Sequence, residues 1–476
     1  MLDLWHPTAA SNRRLVVDGS DMVVPANGEP LDLAVISRAS AGVARERLRR
    51  AVAHAAVRLA ADGVLVVIVP RTHRRTAERA LRGTGASLAE SVLMAPQWPA
   101  TAHFVPLRPG SARDAAVRHL GIAPLAARAL GALTRTAFGR TVLRRVVPGC
   151  ALIITRAPAA ARMQWLHRIA GGEAGGVATV SLGPRQDARV AVVMRFPSKA
   201  SRPDVAVKVA LDGPGVQRLR RERTSLARLS SEAEQAGALI PRPSSGGPDW
   251  ALTCPALPGN PAAVAITRAP QDVEELVHRV TRWLRRWNAA TAHVVTATQA
   301  LLDDVLLTPA ARIAATGAVG NAYTQALEAL ADRVVGRDIV QVAAHNDLTM
   351  QNVLADRGRI AVLDWEAATP DGLPLGDLWY VLADGLARAG ATTHATAVAA
   401  LVRQRPPASA GLWRTPLEAA AALGLSRDER LLAFHAGWLA HAGDELTRGA
   451  PGPFTSTVRA VAHEQLLWPL GDACAS

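Results

Sequence analysis

His345-Asn346-Asp347-Leu348-Thr349-Met350-Gln351-Asn352, followed by Val353-Leu354 and then by Leu363-Asp364-Trp365-Glu366, is the segment on which the reading of this chain turns. Asp356-Arg357-Gly358-Arg359 between the two apolar runs is turn-like, and a hairpin centred on Gly358 predicts Asn352 directly opposite Asp364. Their side chains then share one ligand. An amide oxygen and a carboxylate are hard donors suited to Mg²⁺, which keeps several waters and takes phosphate oxygens for the rest of its shell. Asp347, five residues before Asn352 on the same loop, is placed to accept a proton from a hydroxyl. Taken singly, Asp and Asn beside a hairpin usually cap turns. It is their joint spacing, with His345 two residues before Asp347, that points to a site.

A second signal lies upstream. Of 54 basic residues only Lys199 and Lys208 are lysine, and Lys208 sits in the apolar run Asp204-Val205-Ala206-Val207-Lys208-Val209-Ala210. A compact ammonium in an arginine-rich chain has a task the guanidinium fork does not suit. On the next predicted helix Leu219, Leu226 and Leu229 form an apolar stripe that also carries Glu222, so this carboxylate needs a partner. Lys208 is one candidate; the neighbouring arginines at the rim are the other.

The length of 476 residues predicts two or three domains, and 49% hydrophobic with 20% charged residues is the balance of a folded soluble protein. No basic stretch followed by an apolar run opens the chain, and the longest uncharged stretch, Trp250 to Thr267, holds three prolines, so no leader or membrane span is expected. Cys150, Cys254 and Cys474 are far apart, which fits a reducing cytoplasm better than a disulfide framework or a zinc site. The net charge of +14 invites a nucleic-acid reading, but the arginines fall in short clusters without interleaved aromatics. From Glu366 onward 8 Arg stand against 11 Asp plus Glu, a net of −3, which leaves the excess of +17 before that point.

Hydrophobic patterning divides the chain. Leu31 to Ile36 reads as a strand, Val43 to Ala61 as a helix and Val64 to Val69 as a second strand, a βαβ rhythm. A helix at Thr76 to Arg82, strands near Ser91 to Met94, His103 to Leu107 and Ala151 to Thr155, and a helical stretch from Ala112 to Val147 extend it into an α/β module over residues 1–157. An Ala, Gly and Pro-rich linker follows over 158–175. Three strands in series, Val177 to Leu182, Arg189 to Phe196 and Asp204 to Leu211, then predict an antiparallel meander, with a helix from Gly215 to Leu229 and an extended segment from Trp250 to Leu257. Beyond it the chain turns helical, most clearly over Asp272 to Asn288, where Val273, Leu276, Val277, Val280, Leu284 and Trp287 line one face.

Together these residues resemble the phosphotransferase family that includes aminoglycoside phosphotransferases and choline kinases, a branch of the protein-kinase-like fold, over about residues 176–476. The resemblance implies an α+β two-lobed domain, with an N-lobe and hinge over 176–260 and a C-lobe with a helical acceptor region over 261–476. It implies ATP and Mg²⁺ as cofactors. Lys208 contacts the α/β-phosphates, Glu222 orients it, Asp347 is the catalytic base, and Asn352 and Asp364 bind Mg²⁺. His345 orders the catalytic loop. Thr253 to Leu257, with Thr253, Cys254 and Ala256, looks like the hinge that pairs with adenine and ends in the Leu257-Pro258-Gly259 turn. Leu375-Gly376-Asp377-Leu378 resembles the family's helix start, where Asp377 supports the catalytic loop or acts as a simple N-cap residue. Two positions depart from the pattern: the loop between the first two strands has Gly183 alone to cradle phosphate, and Asn346 stands where relatives often have glycine.

Residues 1–155 resemble the C-terminal half of a class I methyltransferase without its glycine-rich cofactor turn. They are therefore expected to form a partial Rossmann-like module that docks a protein partner or self-associates. The whole reads as an ATP-dependent small-molecule kinase acting on a hydroxyl of an amino sugar, sugar or amino alcohol. The acidic balance after Asp364 favours a cationic or neutral polyol acceptor, with Trp283, Trp287, Trp379 and Trp413 available for stacking or for the core. A catalytically silent kinase-like scaffold and a nucleic-acid-associated protein are the alternatives.

Overall fold

The computed structural model describes residues 14–18, 30–37, 45–69, 73–95, 103–106, 150–156, 177–182, 190–197, 200, 202–402, 411–447, 449 and 451–463. Its contacts divide the chain into two units, residues 1–220 with 243–256 and residues 221–242 with 257–476. The expected 112–147 helix, the 158–175 linker and Gly183 lie outside the described residues.

The first unit is built on a ten-stranded sheet. Its strands are β1 (Arg14–Asp18), β2 (Leu31–Ser37), β3 (Leu59–Val69), β4 (Ala86–Ala95), β5 (His103–Pro106), β6 (Cys150–Arg156), β7 (Val177–Leu182), β8 (Val190–Phe196), β9 (Val205–Ala210) and β10 (Ala251–Pro255). They lie in the order β1-β2-β3-β6-β4-β5-β7-β8-β9-β10. Only β1, β2 and β3 are parallel neighbours, and helix α1 (Arg45–Val57) makes the crossover from β2 to β3. Leu48, Ala51, Val52 and Ala55 recur at helical spacing on α1 and are fully buried in one core with Ile36, Leu65 and Val67 of the sheet. Helix α2 (Arg74–Ala80) adds Ala77 and Ala80 to the same core.

The partial Rossmann-like module expected here is not supported: beyond the parallel β1-β2-β3, strands β6, β4 and β5 join by antiparallel pairing. Strand β1 was not expected, because one apolar triplet, Leu15-Val16-Val17, is too short to show a period. β5 pairs with β7 through His103 opposite Ser181 and Phe104 opposite Val180. β7, β8 and β9 then form the expected antiparallel meander, and the expected extended segment adds β10 antiparallel to β9.

The division between units falls within helix α3 (Gly213–Arg228), whose first turn is capped by the Asp212 carboxylate accepting the Gly215 amide at 2.7 Å. The second unit continues with α4 (Ser230–Gln235), β11 (Asn260–Pro261), α5 (Ala262–Arg268), α6 (Val273–Thr291) and β12 (His293–Thr296). α7 (Gln299–Leu302) leads through a π turn into α8 (Thr308–Ala314), and α9 (Asn321–Val334) and β13 (Asp338–Ala344) follow. β14 (Val353–Asp356), β15 (Arg359–Val362) and β16 (Thr369–Gly372) precede five helices, α10 (Gly376–Ala389), α11 (His394–Val402), α12 (Thr415–Ala422), α13 (Arg427–Thr447) and α14 (Pro453–His463).

α6 buries the whole predicted stripe and adds Trp283. Trp283 and Trp287 stack with centroids 5.5 Å apart, and Trp365 packs against both. Each such side chain contributes roughly 1.5–3 kcal/mol through the water it sheds. These two tryptophans are core and do not offer faces to a ligand. Trp379 is buried too, edge-on to Phe434, and the Trp413 side chain lies outside the described residues.

The hairpin is present with a different register from the expected one. Val353 pairs with Val362 and Asp356 with Arg359, so the turn is centred between Arg357 and Gly358, both at positive φ (38° and 89°). A two-residue turn of this kind matches the twist of the strands. It places Leu363 against Asn352, whose carbonyl accepts the Leu363 amide at 2.8 Å, and Asp364 one residue further along. Behind the hairpin, Gly259 has φ 119°, and a Cβ there would lie 3.0 Å from backbone atoms of Ala355. Gly259→Ala is expected to cost about 1–3 kcal/mol, because neither the conformation nor the facing backbone can yield, and to appear as a lower urea midpoint.

Candidate active site

The 345–352 loop leaves β13 through a left-handed residue, Asn346, with φ 62°. That conformation is uncommon outside glycine, and Asn is among the residues that tolerate it. The backbone around it is held from α10: the Asp377 carboxylate accepts the amides of His345 at 2.7 Å and Asn346 at 2.8 Å. Burial pushes the Asp377 carboxyl above its ordinary value, against the pull of His345 and of the two amides. Asp377 is therefore more than an N-cap. The cap position of α10 is Leu375, itself left-handed with φ 71°. The Asn346 side chain adds a bond to the Ala367 carbonyl at 3.0 Å.

His345 is buried and bonded on both ring nitrogens. Nδ1 accepts the Asp347 amide at 3.2 Å, so Nε2 carries the proton and donates to the Leu363 carbonyl at 2.7 Å. Its ring meets Trp365 edge-on with centroids 4.8 Å apart. The histidine thus ties the 345–352 loop to the strand end that carries Asp364.

Asn352, 7% exposed, donates from Nδ2 to the Asp347 carbonyl at 2.9 Å and reaches an Asp347 carboxylate oxygen at 3.4 Å. With the amide nitrogen committed, Oδ1 is the atom left to accept or to ligate. Asp364 sits beyond it at φ 61°, a second left-handed non-glycine residue within one site. Backbone strain of this kind, about 1–3 kcal/mol each, collects where geometry serves a function. The donor set of one amide oxygen and one carboxylate fits a hard divalent cation.

In the first unit, strand alternation puts Ala206, Lys208, Leu252 and Cys254 on one face of the sheet. Lys208 is half-buried between Val192 and Leu252, and Cys254 is a buried free thiol. The Thr253 carbonyl accepts the Ser244 amide at 2.8 Å, and the Ala256 amide donates to Asp204 at 2.9 Å. Glu222, on α3, is 1% exposed and shares the buried stripe with Leu219, Leu226 and Leu229.

Sequence reasoning missed Asp384. This carboxylate, 3% exposed, accepts the Met350 amide at 2.8 Å, the Arg388 Nε at 2.8 Å and His394 Nε2 at 3.1 Å. It therefore supports the loop three residues after Asp347. Its signal was a lone acid in the apolar run Leu378 to Leu386, the same kind of signal that singled out Glu222.

Residues 198–412 match the family model of the phosphotransferase enzyme family, APH. Over this segment, 215 of the 476 residues, the chain is similar to that family. The phosphotransferase segment implies phosphoryl transfer to a hydroxyl group; the match begins at residue 198 and does not reach residues 1–157. No curated protein matches the chain. Among solved structures it is similar to the macrolide 2'-phosphotransferase MphH from Brachybacterium faecium, at 18% identity over 60% of this chain and 91% of that one, TM-score 0.35. It is also similar to a choline/ethanolamine kinase family protein from Mesorhizobium loti, at 15% identity over 61% and 88%, TM-score 0.33.

In this phosphotransferase segment burial works to raise the Asp384 carboxyl, but His394, Arg388 and the Met350 amide together hold it below its ordinary value. A depressed carboxyl contributes stability above the unfolded aspartate value of about 3.9 and loses it as pH falls through the lower folded value. Asp384→Asn should therefore destabilise by about 2–3 kcal/mol at pH 7, with the gap to wild type closing below about pH 4 in urea titrations.

Proposed function

We propose that this chain transfers the γ-phosphoryl of ATP to a hydroxyl of an amino sugar, sugar or amino alcohol. The observation that supports the reading is the Asp347–Asn352 pair: the side-chain amide nitrogen is committed to the Asp347 carbonyl, which leaves Oδ1 as the atom able to ligate. Asp347 aligns the acceptor hydroxyl and takes its proton as the new O–P bond forms and the bond to the departing ADP oxygen breaks. Asn352 Oδ1 and Asp364 would hold Mg²⁺, which when bound would neutralise charge on the phosphate oxygens. Lys208 adds a cation on the α/β-phosphates, steadied by Glu222.

At the hinge, the Thr253 carbonyl and the Ala256 amide are already bonded within their own unit, so alternation leaves the Pro255 carbonyl as the acceptor for the adenine amino group. Residues 1–157 serve as a docking or self-association module. The acceptor is cationic or neutral, as the acidic balance of the C-terminal helices favours.

The test is ATP turnover with Mg²⁺ across amino sugars, sugars, nucleosides and amino alcohols. Asp347→Ala should lower kcat by about 10²- to 10⁴-fold with nucleotide affinity kept. Asn352→Ala and Asp364→Ala should instead raise the Mg²⁺ concentration needed for half-maximal rate. Acceptor-independent ADP release, or turnover untouched in Asp347→Ala, would sink the proposal.

A further inference from the structure

A cavity of about 420 Å³ lies wholly within the second unit, walled by the last turns of α6, residues 373–375, the start of α10, and α12. Volumes of this order hold small organic ligands. Three arginines, Arg282, Arg285 and Arg286, line it from α6, against one carboxylate, Asp377. At spacings of three and four along a helix they repel one another. Among the described residues none of the three has an ion-pair partner. A helix C-terminus favours cations by its dipole, which accounts for arginines there but not for what lies deeper.

Asn288, on the same helix and 8% exposed, also lines the cavity, and among the described residues its side-chain amide has no hydrogen-bond partner. Its polar atoms are not sealed from solvent, so they face whatever fills the cavity. The remaining walls are apolar, with the left-handed Leu375 and Leu378 among them. Asp377 does not oppose an anion at the arginine rim, since both its oxygens are turned onto the amides of His345 and Asn346.

We propose that this cavity binds a small amphiphilic anion, a carboxylate or phosphate monoester on an apolar body, with its head group on Arg282, Arg285, Arg286 and Asn288 and its tail against Leu375 and Leu378. An occupant then rests on Asp377, the residue that holds the 345–352 loop, and alters turnover from a site apart from Asp347, Asn352 and Asp364.

The experiment is calorimetric titration of the full chain with octanoate, octyl phosphate, octan-1-ol and inorganic phosphate. The two amphiphilic anions should bind, whichever is tighter naming the head group, with octan-1-ol and inorganic phosphate each weaker by about tenfold or more. The exposed pair Arg285→Ala with Arg286→Ala should lose about tenfold in affinity with unchanged circular dichroism, and Asn288→Ala should lose several-fold. No binding by either anion, equal binding of octanoate and octan-1-ol, or affinity untouched in the arginine variant would overturn the site. The coupling to turnover rests on the phosphotransferase reading: saturating octanoate should change kcat in wild type and not in the arginine variant. Binding with kcat unchanged would overturn the coupling and leave the site standing.

Discussion

One carboxylate gripping two consecutive backbone amides is the constraint from which the rest of the site follows. Asp377 fixes His345 and Asn346 at the point where the chain leaves β13 in a left-handed turn. Without that grip the two amides at the strand exit lose their acceptor, and the turn is left to the Asn346 side chain and to the bonds His345 and Asn352 make around Asp347. The cost is visible in the Asp377 carboxyl itself, which burial pushes toward the neutral form while the amides favour the charged one. Asp384 grips the other side of Asp347 through the Met350 amide, so Asp347 stands on a backbone held at both flanks by α10. A helix is the right support for this, because its own hydrogen bonds are complete and its side chains do not move independently.

The same economy governs the side chains around Asp347. Asn352 spends its amide nitrogen on the Asp347 carbonyl, and His345 spends both ring nitrogens on the loop and on Leu363, so neither side chain can rotate without breaking a bond. Trp365 fills the space behind them and joins this polar frame to the stacked pair Trp283 and Trp287, with Trp287 anchored to the Ala343 carbonyl at 2.6 Å. Polar geometry and the apolar core are one object here.

Much of this was legible in the sequence, and what was not has physical causes. Strong local periods gave the buried stripe of α6 and the meander β7 to β9, because both are set by side chains a few residues apart. Asp347, Asn352 and Asp364 stood out because their spacing is local as well. The hairpin register was misjudged by one residue, since the sequence shows a turn-forming Gly358 but not that Arg357 also adopts positive φ. Asp384 was missed because its partners Met350 and His394 are 34 and 10 residues away, and no local pattern announces a contact of that range. The departure at Asn346 was visible as a residue type, but its reason, a left-handed backbone, is a property of the folded loop.

The two-residue turn at Arg357 and Gly358 reaches further than its position at the hairpin tip implies. Loop tips normally absorb insertions freely. Here every pair from Asp356–Arg359 back to Val353–Val362 is counted from that turn, and the same count sets where Asp364 falls relative to Asn352. One added residue would reverse which faces the following strand presents, unless a bulge took it up before Val362. Homologous chains that keep this site should therefore vary in residue identity at the tip while holding its length fixed, or change it two residues at a time.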